Sequence, residues 1–373
     1  MSGNSKRISK CIVVSAVNFS EGGGLEILIN SLETAVKFLS TNWIIIALVH
    51  DKKLVNIPRV HYIEFPDSKT SWWKRIYLEW YYFKILSNKL KPDLWFSLHD
   101  ITPRVVSRRQ AVYCHNVSPF YKLSLKEGYL DPIFFLFNKF YAYLYGINIY
   151  RNYAVIVQQE WLRKIFFKRY NHLNIVVAPP VMDDLCNTSI DIHLNQADKK
   201  IFFYPSLPRV FKNFEVLFRA AACLPYNIQC QIEIRFTFDG TESRYTRNIM
   251  SHFGNQTMFQ FIGRQNRDQM SRNYAECDVV LFPSKLESWG LPITEAKEWG
   301  KPLLVADIDY AYETVGDYKY VSFLPPDDPS AWAQAIGDVV KQKHDYMGHA
   351  GSTPPEPYVR DWAELWQFLT KDL

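Results

Sequence analysis

The sequence predicts an α/β protein with two domains, each built on a parallel β-sheet that is covered by helices. Three observations predict this fold class. The chain has 373 residues with 48% hydrophobic content, which is enough for two hydrophobic cores. Apolar, strand-like runs alternate with stretches of helical spacing, and the links between them are short. This alternation is typical of parallel sheets whose two faces are both buried.

The first half of the chain alternates strands and helices in this way. Strands are predicted at residues 10–17, 43–50, 60–65, 93–98, 110–114, 153–157 and 174–180, and helices at 25–39 and 160–169. The second half repeats the pattern after a polar, irregular stretch. Its strands are predicted at 200–206, 231–238, 259–262, 278–284 and 302–307, and its helices at 213–223, 242–253, 267–277 and 293–299.

These elements divide the chain into two Rossmann-like domains. We predict an N-terminal domain at 1–180, a linker at 181–199 and a C-terminal domain at 200–350. A final helix within 351–373 is expected to pack back toward the N-terminal domain.

Positive charge is concentrated in the first half of the chain. Residues 1–178 contain 24 Lys and Arg against 12 Asp and Glu, which leaves 19 against 26 for the rest. The imbalance favours an anionic surface as partner of the first half, although ordinary solvated side chains explain it equally well. The sequence contains no uninterrupted apolar run of about 20 residues, so we predict no membrane-spanning helix. The polar start and six scattered cysteines favour a cytoplasmic protein with reduced thiols.

Two glutamates eight residues apart, Glu287 and Glu295, are the strongest functional signal in the chain. They flank a loop with Gly290 and Pro292 that connects a predicted strand to a predicted helix, and we call it the acidic loop. Such junctions bind phosphate, because free backbone N–H groups and the positive end of the helix dipole converge there. Carboxylates on both sides can bind hydroxyl groups, which favours a sugar nucleotide as ligand. The alternative is a structural role for two acids beside a helix start.

A second loop, 205–213, also follows a predicted strand and precedes a helix. It places Arg209 and Lys212 three residues apart at the corresponding edge of the same predicted sheet. A leaving diphosphate needs such cations, because negative charge builds on it as its bond to carbon breaks. Arg binds two oxygens at once and Lys supplies a point charge. Without the acidic loop, both residues would be interpreted as surface charges.

The sequence resembles the retaining family-4 glycosyltransferases, two-domain GT-B enzymes that transfer a sugar from a nucleotide donor. The resemblance rests on Phe282-Pro283-Ser284, Glu287-Ser288-Trp289-Gly290-Leu291-Pro292, Glu295-Ala296, Gly300-Lys301-Pro302, Glu313, Phe261-Ile262-Gly263, Tyr274 and Asp278. It covers residues 155–340 firmly and the first domain loosely. It implies a GT-B fold, with two domains facing each other across a donor-binding cleft. The similarity is greatest to enzymes of bacterial surface polysaccharides, such as lipopolysaccharide O-antigen or capsule.

The resemblance also implies roles for the matching residues. Glu287 would contact the hydroxyls of the donor sugar, and Glu295 those of the ribose. Lys212 would bind the diphosphate, together with Arg209 or with Ser206 and the backbone beside it. The other expected donor-binding residues, near the sugar, the phosphate or the nucleobase, are Ser288, Gly290, Leu291, Gly263 and Arg264.

His115 is the expected catalytic residue of the first domain. It matches a histidine of the family that follows a strand and approaches the transferred carbon of the donor sugar. The family usually has Asp next, where this chain has Asn116. His99 also ends a predicted strand and is the second candidate. Gly23 and Gly24 are expected in a glycine loop that lets the backbone pass close to phosphate and acceptor.

No metal and no cofactor are predicted, since the donor, a GDP- or UDP-linked sugar, is a substrate. Asp307-Ile308-Asp309 has the spacing of a manganese-binding Asp-x-Asp motif. GT-B enzymes, however, do not place a metal after this strand. Arg209 and Lys212 would supply the positive charge instead.

Segments 72–84 and 166–170 mix aromatic residues with cations, and segment 132–150 is strongly aromatic. Such segments can lie among lipid headgroups, but they also suit an aromatic core with lysines reaching the solvent. Because positive charge is concentrated in the first half, we predict peripheral association with the cytoplasmic face of the inner membrane. A lipid-linked or oligosaccharide acceptor would fit this location. No nucleic-acid-binding motif is present.

The sequence thus predicts a retaining, metal-independent hexosyltransferase of bacterial lipopolysaccharide or capsule synthesis. Two alternatives remain: a sugar-nucleotide epimerase of the same fold and a non-catalytic nucleotide-sugar-binding subunit. The donor sugar, the nucleobase, the acceptor, the linkage and the oligomeric state are not determined by the sequence.

Overall fold

The structure is a computed structural model that describes residues 9–20, 22–172, 174–180 and 199–373. The described residues form two compact units. The first lies within Met1–Asn116, Phe140–Asp183 and Pro354–Leu373, and the second within Val117–Lys139 and Asp184–Thr353. The predicted linker, 181–199, lies outside the described residues except for Lys199.

The described parts of the chain contain strands and helices in regular alternation. The strands are β1 (Lys10–Ala16), β2 (Trp43–Val49), β3 (Val60–Glu64), β4 (Leu94–Ser97), β5 (Arg109–Cys114), β6 (Ala154–Val157), β7 (Ile175–Val177), β8 (Lys200–Tyr204), β9 (Ile232–Phe236), β10 (Phe259–Phe261), β11 (Val279–Phe282), β12 (Leu303–Ala306) and β13 (Val321–Leu324). The helices are α1 (Gly22–Phe38), α2 (Trp72–Tyr77), α3 (Phe83–Leu90), α4 (Leu125–Leu130), α5 (Pro132–Gly146), α6 (Glu160–Tyr170), α7 (Phe214–Cys223), α8 (Tyr226–Gln229), α9 (Arg244–Phe253), α10 (Arg267–Glu276), α11 (Leu291–Glu298), α12 (Asp309–Val315), α13 (Pro329–Val340) and α14 (Trp362–Thr370).

The first unit is built on a parallel sheet of strand order β3-β2-β1-β4-β5-β6-β7. Successive residues of β1 enter different cores on the two faces of the sheet. Ile12 and Val14 pack with α1 and α14, whereas Val13 packs with Phe83 and Trp95. Burial of both faces explains why strands such as β1 and β6 are largely apolar.

The C-terminal helix α14 belongs to the first unit. The indole Nε1 of Trp366 donates a hydrogen bond of 2.9 Å to the carbonyl of Ser31 in α1. Trp366 is fully buried and also contacts Phe96 of β4 with its ring edge.

The second unit is built on a parallel sheet of order β10-β9-β8-β11-β12-β13. Two parallel-sheet α/β units are thus present, and the predicted fold class is confirmed. Residues 117–139, which the sequence analysis included in the first domain, pack with the second unit instead. Phe134 contacts Phe211 at 5.0 Å between ring centroids, and Asp131 pairs with Arg209.

The aromatic segment 72–84 forms α2 and a π-helical turn, Leu78–Tyr82, that leads into α3. The turn encloses a buried cluster beside the C-terminal ends of β1 and β4. Arg75 Nη2 lies 3.1 Å from Nδ1 of His99, and Ser15 Oγ lies 3.0 Å from its Nε2. Glu79 Oε1 lies 3.3 Å from the same Nδ1. Burial raises the pKa of Glu79 to about 8, although the charge of Arg75 opposes this.

Glu79 is therefore expected to make the stability of the first unit depend on pH. The raised pKa keeps the folded carboxyl protonated while the unfolded one ionises, so the free energy of unfolding falls as pH rises from about 4.5 to about 8. Glu79→Gln removes this loss. In urea unfolding between pH 5 and 8, the free energy of unfolding of the variant should rise relative to that of the wild type as the pH rises. The difference should reach on the order of a few kcal/mol at the alkaline end.

The exposed acid Glu64 provides the control for this measurement. Glu64→Gln should follow the wild-type pH profile closely. Burial and the charge of Arg75 lower the pKa of His99. Below about pH 6.5 this shift makes the free energy of unfolding rise with pH, and it does so in the wild type and in both variants. Parallel profiles for the wild type and Glu79→Gln would contradict the prediction.

Candidate active site

The acidic loop joins β11 to α11 as the sequence predicts. Gly290 occupies the position before the helix with φ of +93°, a left-handed conformation that favours glycine. A Cβ atom at this position would also lie 3.4 Å from the Phe282 ring. Pro292 follows in the first turn, where its missing N–H costs no intrahelical bond. The loop thus presents its free N–H groups at the start of α11.

Lys212 and Glu287 form an ion pair at the centre of the second unit's candidate site. Lys212 Nζ lies 2.5 Å from Glu287 Oε1, and the two side chains are only 13% and 14% exposed. The ammonium also lies near the rings of Phe211 and Phe282, at 5.5 and 5.6 Å from their centroids. The structure therefore brings together two residues 75 positions apart that the sequence assigned to the same site.

Two buried tyrosines fix the loops that carry this pair. Tyr204 donates a hydrogen bond of 2.7 Å to the carbonyl of Lys212, and Tyr310 donates one of 2.6 Å to the carbonyl of Ser284. Burial raises the pKa of both phenols, and the nearby charge of Glu287 raises it further. Both hydroxyls therefore stay protonated and keep their role as donors. Sequence analysis missed both residues, since nothing in their local pattern distinguishes them from ordinary core aromatics.

Arg209 forms an ion pair with a different acid, Asp131. Its Nη1 lies 3.0 Å from Asp131 Oδ2, while its side chain remains 48% exposed. Asp131 also accepts a hydrogen bond from the backbone N–H of Phe134 in the first turn of α5. Sequence analysis missed Asp131, because it lies 78 residues before Arg209.

Glu295 lies on α11, one turn into the helix, and pairs with Tyr274 of α10. The tyrosine hydroxyl lies 2.5 Å from Glu295 Oε2. Burial raises the pKa of the Glu295 carboxyl, and the hydrogen bond from Tyr274 counteracts part of this rise. Tyr274 thereby fixes one carboxylate oxygen of a half-buried acid.

Replacing Tyr274 by Phe should weaken this arrangement. Loss of a hydrogen bond to a partly buried carboxylate is expected to lower the free energy of unfolding by about 1–2 kcal/mol. The pKa of Glu295 should rise further, since the opposing contribution is lost. Urea unfolding and titration of the carboxyl by NMR measure the two effects. Tyr320→Phe, at an exposed tyrosine of the same unit, should change neither; equal effects in both variants would contradict the assignment.

The other expected donor-binding residues lie around the same sheet. Ser206 is buried after β8, where its backbone N–H donates to Thr237 Oγ1 at 2.9 Å. Gly263 follows β10 with φ of +68°, and Arg264 beside it is exposed. Ser288 and Leu291 are half-buried at the start of α11.

The first unit contains the two candidate histidines in different environments. His99 is fully buried in the cluster with Arg75. His115, at the end of β5, is 25% exposed and lies 3.4 Å from Asp100 through its Nδ1. Only His115 therefore offers part of its ring to a ligand.

The prediction of a glycine loop at residues 22–24 was wrong, because these residues are helical and α1 begins at Gly22. Gly23 and Gly24 lie in its first turn. The absence of a side chain at Gly24 allows close packing, since a Cβ atom there would lie 2.9 Å from the Phe19 ring. Phe19 in turn contacts His115, with 5.6 Å between ring centroids.

The described residues contain neither a membrane-spanning helix nor a cluster of metal ligands. No helix within them is long and apolar enough to cross a membrane. No group of three or more His, Cys, Asp or Glu side chains there is arranged to hold a metal ion. Metal independence remains a prediction.

The sequence of the second unit matches a known family. Residues 188–351 match the model of the glycosyl transferases group 1. The D-inositol 3-phosphate glycosyltransferase of Mycolicibacterium gilvum (strain PYR-GCK) is 30% identical over 139 residues, which is 36% of this chain and 31% of the relative. The chain thus matches about a third of the length of this curated relative.

Solved structures resemble almost the whole chain. WaaG, a glycosyltransferase involved in lipopolysaccharide biosynthesis, superposes with a TM-score of 0.67 at 12% identity, covering 96% of this chain and 100% of WaaG. HepE from Anabaena in complex with UDP-glucose has a TM-score of 0.60 at 15% identity, covering 90% and 95%. At these identities the likeness shows the fold alone. The two α/β units have the GT-B fold, and the family match relates the chain to the group 1 glycosyltransferases.

Proposed function

We propose that the chain is a retaining, metal-independent glycosyltransferase that transfers a hexose from a GDP- or UDP-linked donor to a glycan or lipid-linked acceptor. The single observation that carries this proposal is the Lys212–Glu287 pair beside the start of α11. It joins a desolvated cation, a carboxylate and free backbone N–H groups at the C-terminal ends of parallel strands. A nucleotide-diphosphate sugar offers a partner to each of these groups.

Lys212 would stabilise the leaving diphosphate in this reaction. Negative charge grows on that group as the bond to the sugar breaks, and a cation in a mostly water-free site stabilises it more strongly than one in water. The N-terminus of α11, at the end of the acidic loop, adds a positive partial charge that would also stabilise the diphosphate. Ser206 and Arg209 are the further proposed phosphate ligands, and Arg209 would exchange Asp131 for phosphate.

Glu287 would orient the donor sugar through its hydroxyls, and Glu295, held by Tyr274, would bind the ribose hydroxyls. Gly263 and Arg264 are proposed neighbours of the nucleobase. His115, on the first unit, is proposed to contact a sugar hydroxyl. Retention requires the acceptor hydroxyl to attack from the side of the leaving group, whose phosphate accepts the proton.

A role in bacterial lipopolysaccharide or capsule synthesis is part of the proposal. The structural similarity to WaaG supports it. The family match does not favour the epimerase or the non-catalytic subunit. An epimerase would release epimerised donor without an acceptor and no free nucleotide, whereas a binding subunit would release neither.

Thermal unfolding with a panel of GDP- and UDP-sugars tests the proposal directly. The correct donor should raise the unfolding temperature, because it binds only the folded protein. Transfer assays with that donor and bacterial lipid-linked or oligosaccharide acceptors should then release nucleoside diphosphate only when an acceptor is present. Failure of every donor in the panel to stabilise the protein would overturn the proposal.

We also propose that the protein associates with the cytoplasmic face of the inner membrane through α2 and the π-helical turn. Trp73 is 81% exposed, and Tyr77 and Tyr81 are also exposed on this segment. Lys74 lies among them. Aromatic and cationic side chains together favour a headgroup layer with anionic lipid. Arg75 does not contribute, since it is buried beside His99.

Flotation with vesicles that contain or lack phosphatidylglycerol tests this surface. The wild type should float with the anionic vesicles, and Trp73→Ser with Tyr77→Ser should lose most of this binding. Tyr226→Ser removes an equally exposed aromatic from the second unit and should change nothing. Equal flotation of all proteins would remove the segment from the proposal.

A further inference from the structure

The imidazole of His115 has one buried nitrogen and faces a buried acid with it. Nδ1 is buried and has no hydrogen-bond partner among the described residues. It lies 3.4 Å from Asp100 Oδ1, while the side chain as a whole is 25% exposed. The exposed part therefore lies away from Nδ1. Phe19 and Tyr113 contact the ring, with centroids 5.6 and 6.3 Å away.

Asp100 is fixed in place by its backbone and by several donors. Its φ of +71° is left-handed, a conformation that Asp and Asn tolerate better than most residues. Oδ1 accepts hydrogen bonds from the backbone N–H groups of His115 and Asn116, at 2.7 and 3.0 Å. The hydroxyl of Tyr145 donates to Oδ1 and that of Tyr141 to Oδ2, both at 3.0 Å. Burial raises the pKa of both tyrosines, so they remain donors.

This arrangement decides which nitrogen of a neutral His115 carries the proton. An unprotonated Nδ1 would place a buried lone pair 3.4 Å from a carboxylate oxygen, which is repulsive and leaves the nitrogen lone pair without a donor. A protonated Nδ1 places a positive N–H dipole near the carboxylate instead. A partner of one ring nitrogen commonly sets the tautomer of histidine in this way.

We propose that Asp100 is a positioning residue that holds His115 in the tautomer protonated at Nδ1. Nε2 is then a hydrogen-bond acceptor and receives a hydrogen bond from a hydroxyl of the sugar substrate. The identity of that ligand rests on the proposed function, whereas the tautomer does not. Asp100 supplies a carboxylate to the histidine from the neighbouring strand end.

Nitrogen-15 NMR of the protein labelled at histidine tests the tautomer without any activity measurement. In the neutral ring, the Nδ1 of His115 should show the shift of a protonated nitrogen, and Nε2 that of an unprotonated one. The signal is assigned by its loss in His115→Gln. A neutral ring protonated at Nε2 would overturn the inference.

Asp100→Asn provides the matched variant, because Asn keeps the size and the left-handed backbone. The tautomer should shift toward protonation at Nε2, and the KM for the sugar donor should rise about tenfold through loss of one hydrogen bond. Tyr141→Phe keeps the carboxylate and should retain the Nδ1 tautomer. A wild-type tautomer in Asp100→Asn overturns the inference. If Asp100→Asn does not fold, the wild-type and Tyr141→Phe spectra decide the matter.

The two readouts separate this inference from the proposed function. A protonated Nδ1 in a protein that binds no nucleotide sugar supports the positioning role and contradicts the enzyme assignment. Sugar transfer by a protein whose His115 is protonated at Nε2 supports the enzyme assignment and overturns the positioning role.

Discussion

Glu287→Gln is expected to lower the turnover of sugar transfer about 10²-fold or more, in the range measured when one stabilising group is removed from an active site. The amide keeps the size of the side chain but loses the charge that pairs with Lys212 at 2.5 Å. Because Lys212 remains available to the diphosphate, affinity for the nucleoside diphosphate should fall far less than turnover does. Steady-state kinetics and calorimetric titration with the nucleoside diphosphate measure the two quantities.

The chain offers a matched control for this variant. Lys285 and Asp327 also lie 2.5 Å apart, but Asp327 is 79% exposed. Exposed pairs contribute little to stability and nothing to a site they do not reach. Asp327→Asn should therefore keep turnover close to the wild type. Unchanged turnover in a folded Glu287→Gln protein would exclude Glu287 from the reaction.

Lys212→Met should reduce turnover by about 10²–10³-fold and should also weaken nucleoside diphosphate binding. Both effects have one cause, the loss of the cation that opposes the phosphate charge. The variant leaves Glu287 mostly buried without its partner, which is expected to destabilise the fold by about 3 kcal/mol or more. Activity is therefore compared at a temperature where circular dichroism shows the variant folded.

Lys285→Met is the corresponding control, because it removes a lysine from the same loop region without touching the buried pair. It should change turnover and nucleotide binding little. If Lys212→Met binds nucleoside diphosphate as tightly as the wild type, the cation does not contact the phosphates. The double variant Lys212→Met, Glu287→Gln should be more stable than Lys212→Met alone, since it leaves no unpaired buried charge.

Much of the fold was predictable because its signals are local. Burial of both sheet faces makes strands such as β6 and β11 apolar throughout, and the short links between elements favour parallel topology. Two residue types mark the start of α11 in the sequence itself. Gly290 suits the left-handed position before the helix, and Pro292 suits the first helical turn. The fold class and the position of the acidic loop follow from these features.

The aromatic helices were harder to predict. Residues 72–90 and 125–146 are rich in aromatics, and their composition suits both a membrane surface and a packed core. In the structure, Arg75 is buried while Trp73, two residues earlier, is almost fully exposed. Sequence composition does not distinguish the buried residue from the exposed one, because burial depends on which face of the helix the rest of the unit covers.

Local sequence patterns were enough to predict two parallel-sheet units and the loop that carries Glu287, since hydrophobic pattern, glycine and proline act within a few residues. The partners of the charged groups depend instead on packing in three dimensions. Arg209 pairs with Asp131, and Asp100 reaches His115 from a neighbouring strand. A buried charge requires a partner, but any acid that packing brings within a few ångströms can provide it. That choice is made between residues far apart in the chain, where no local pattern records it.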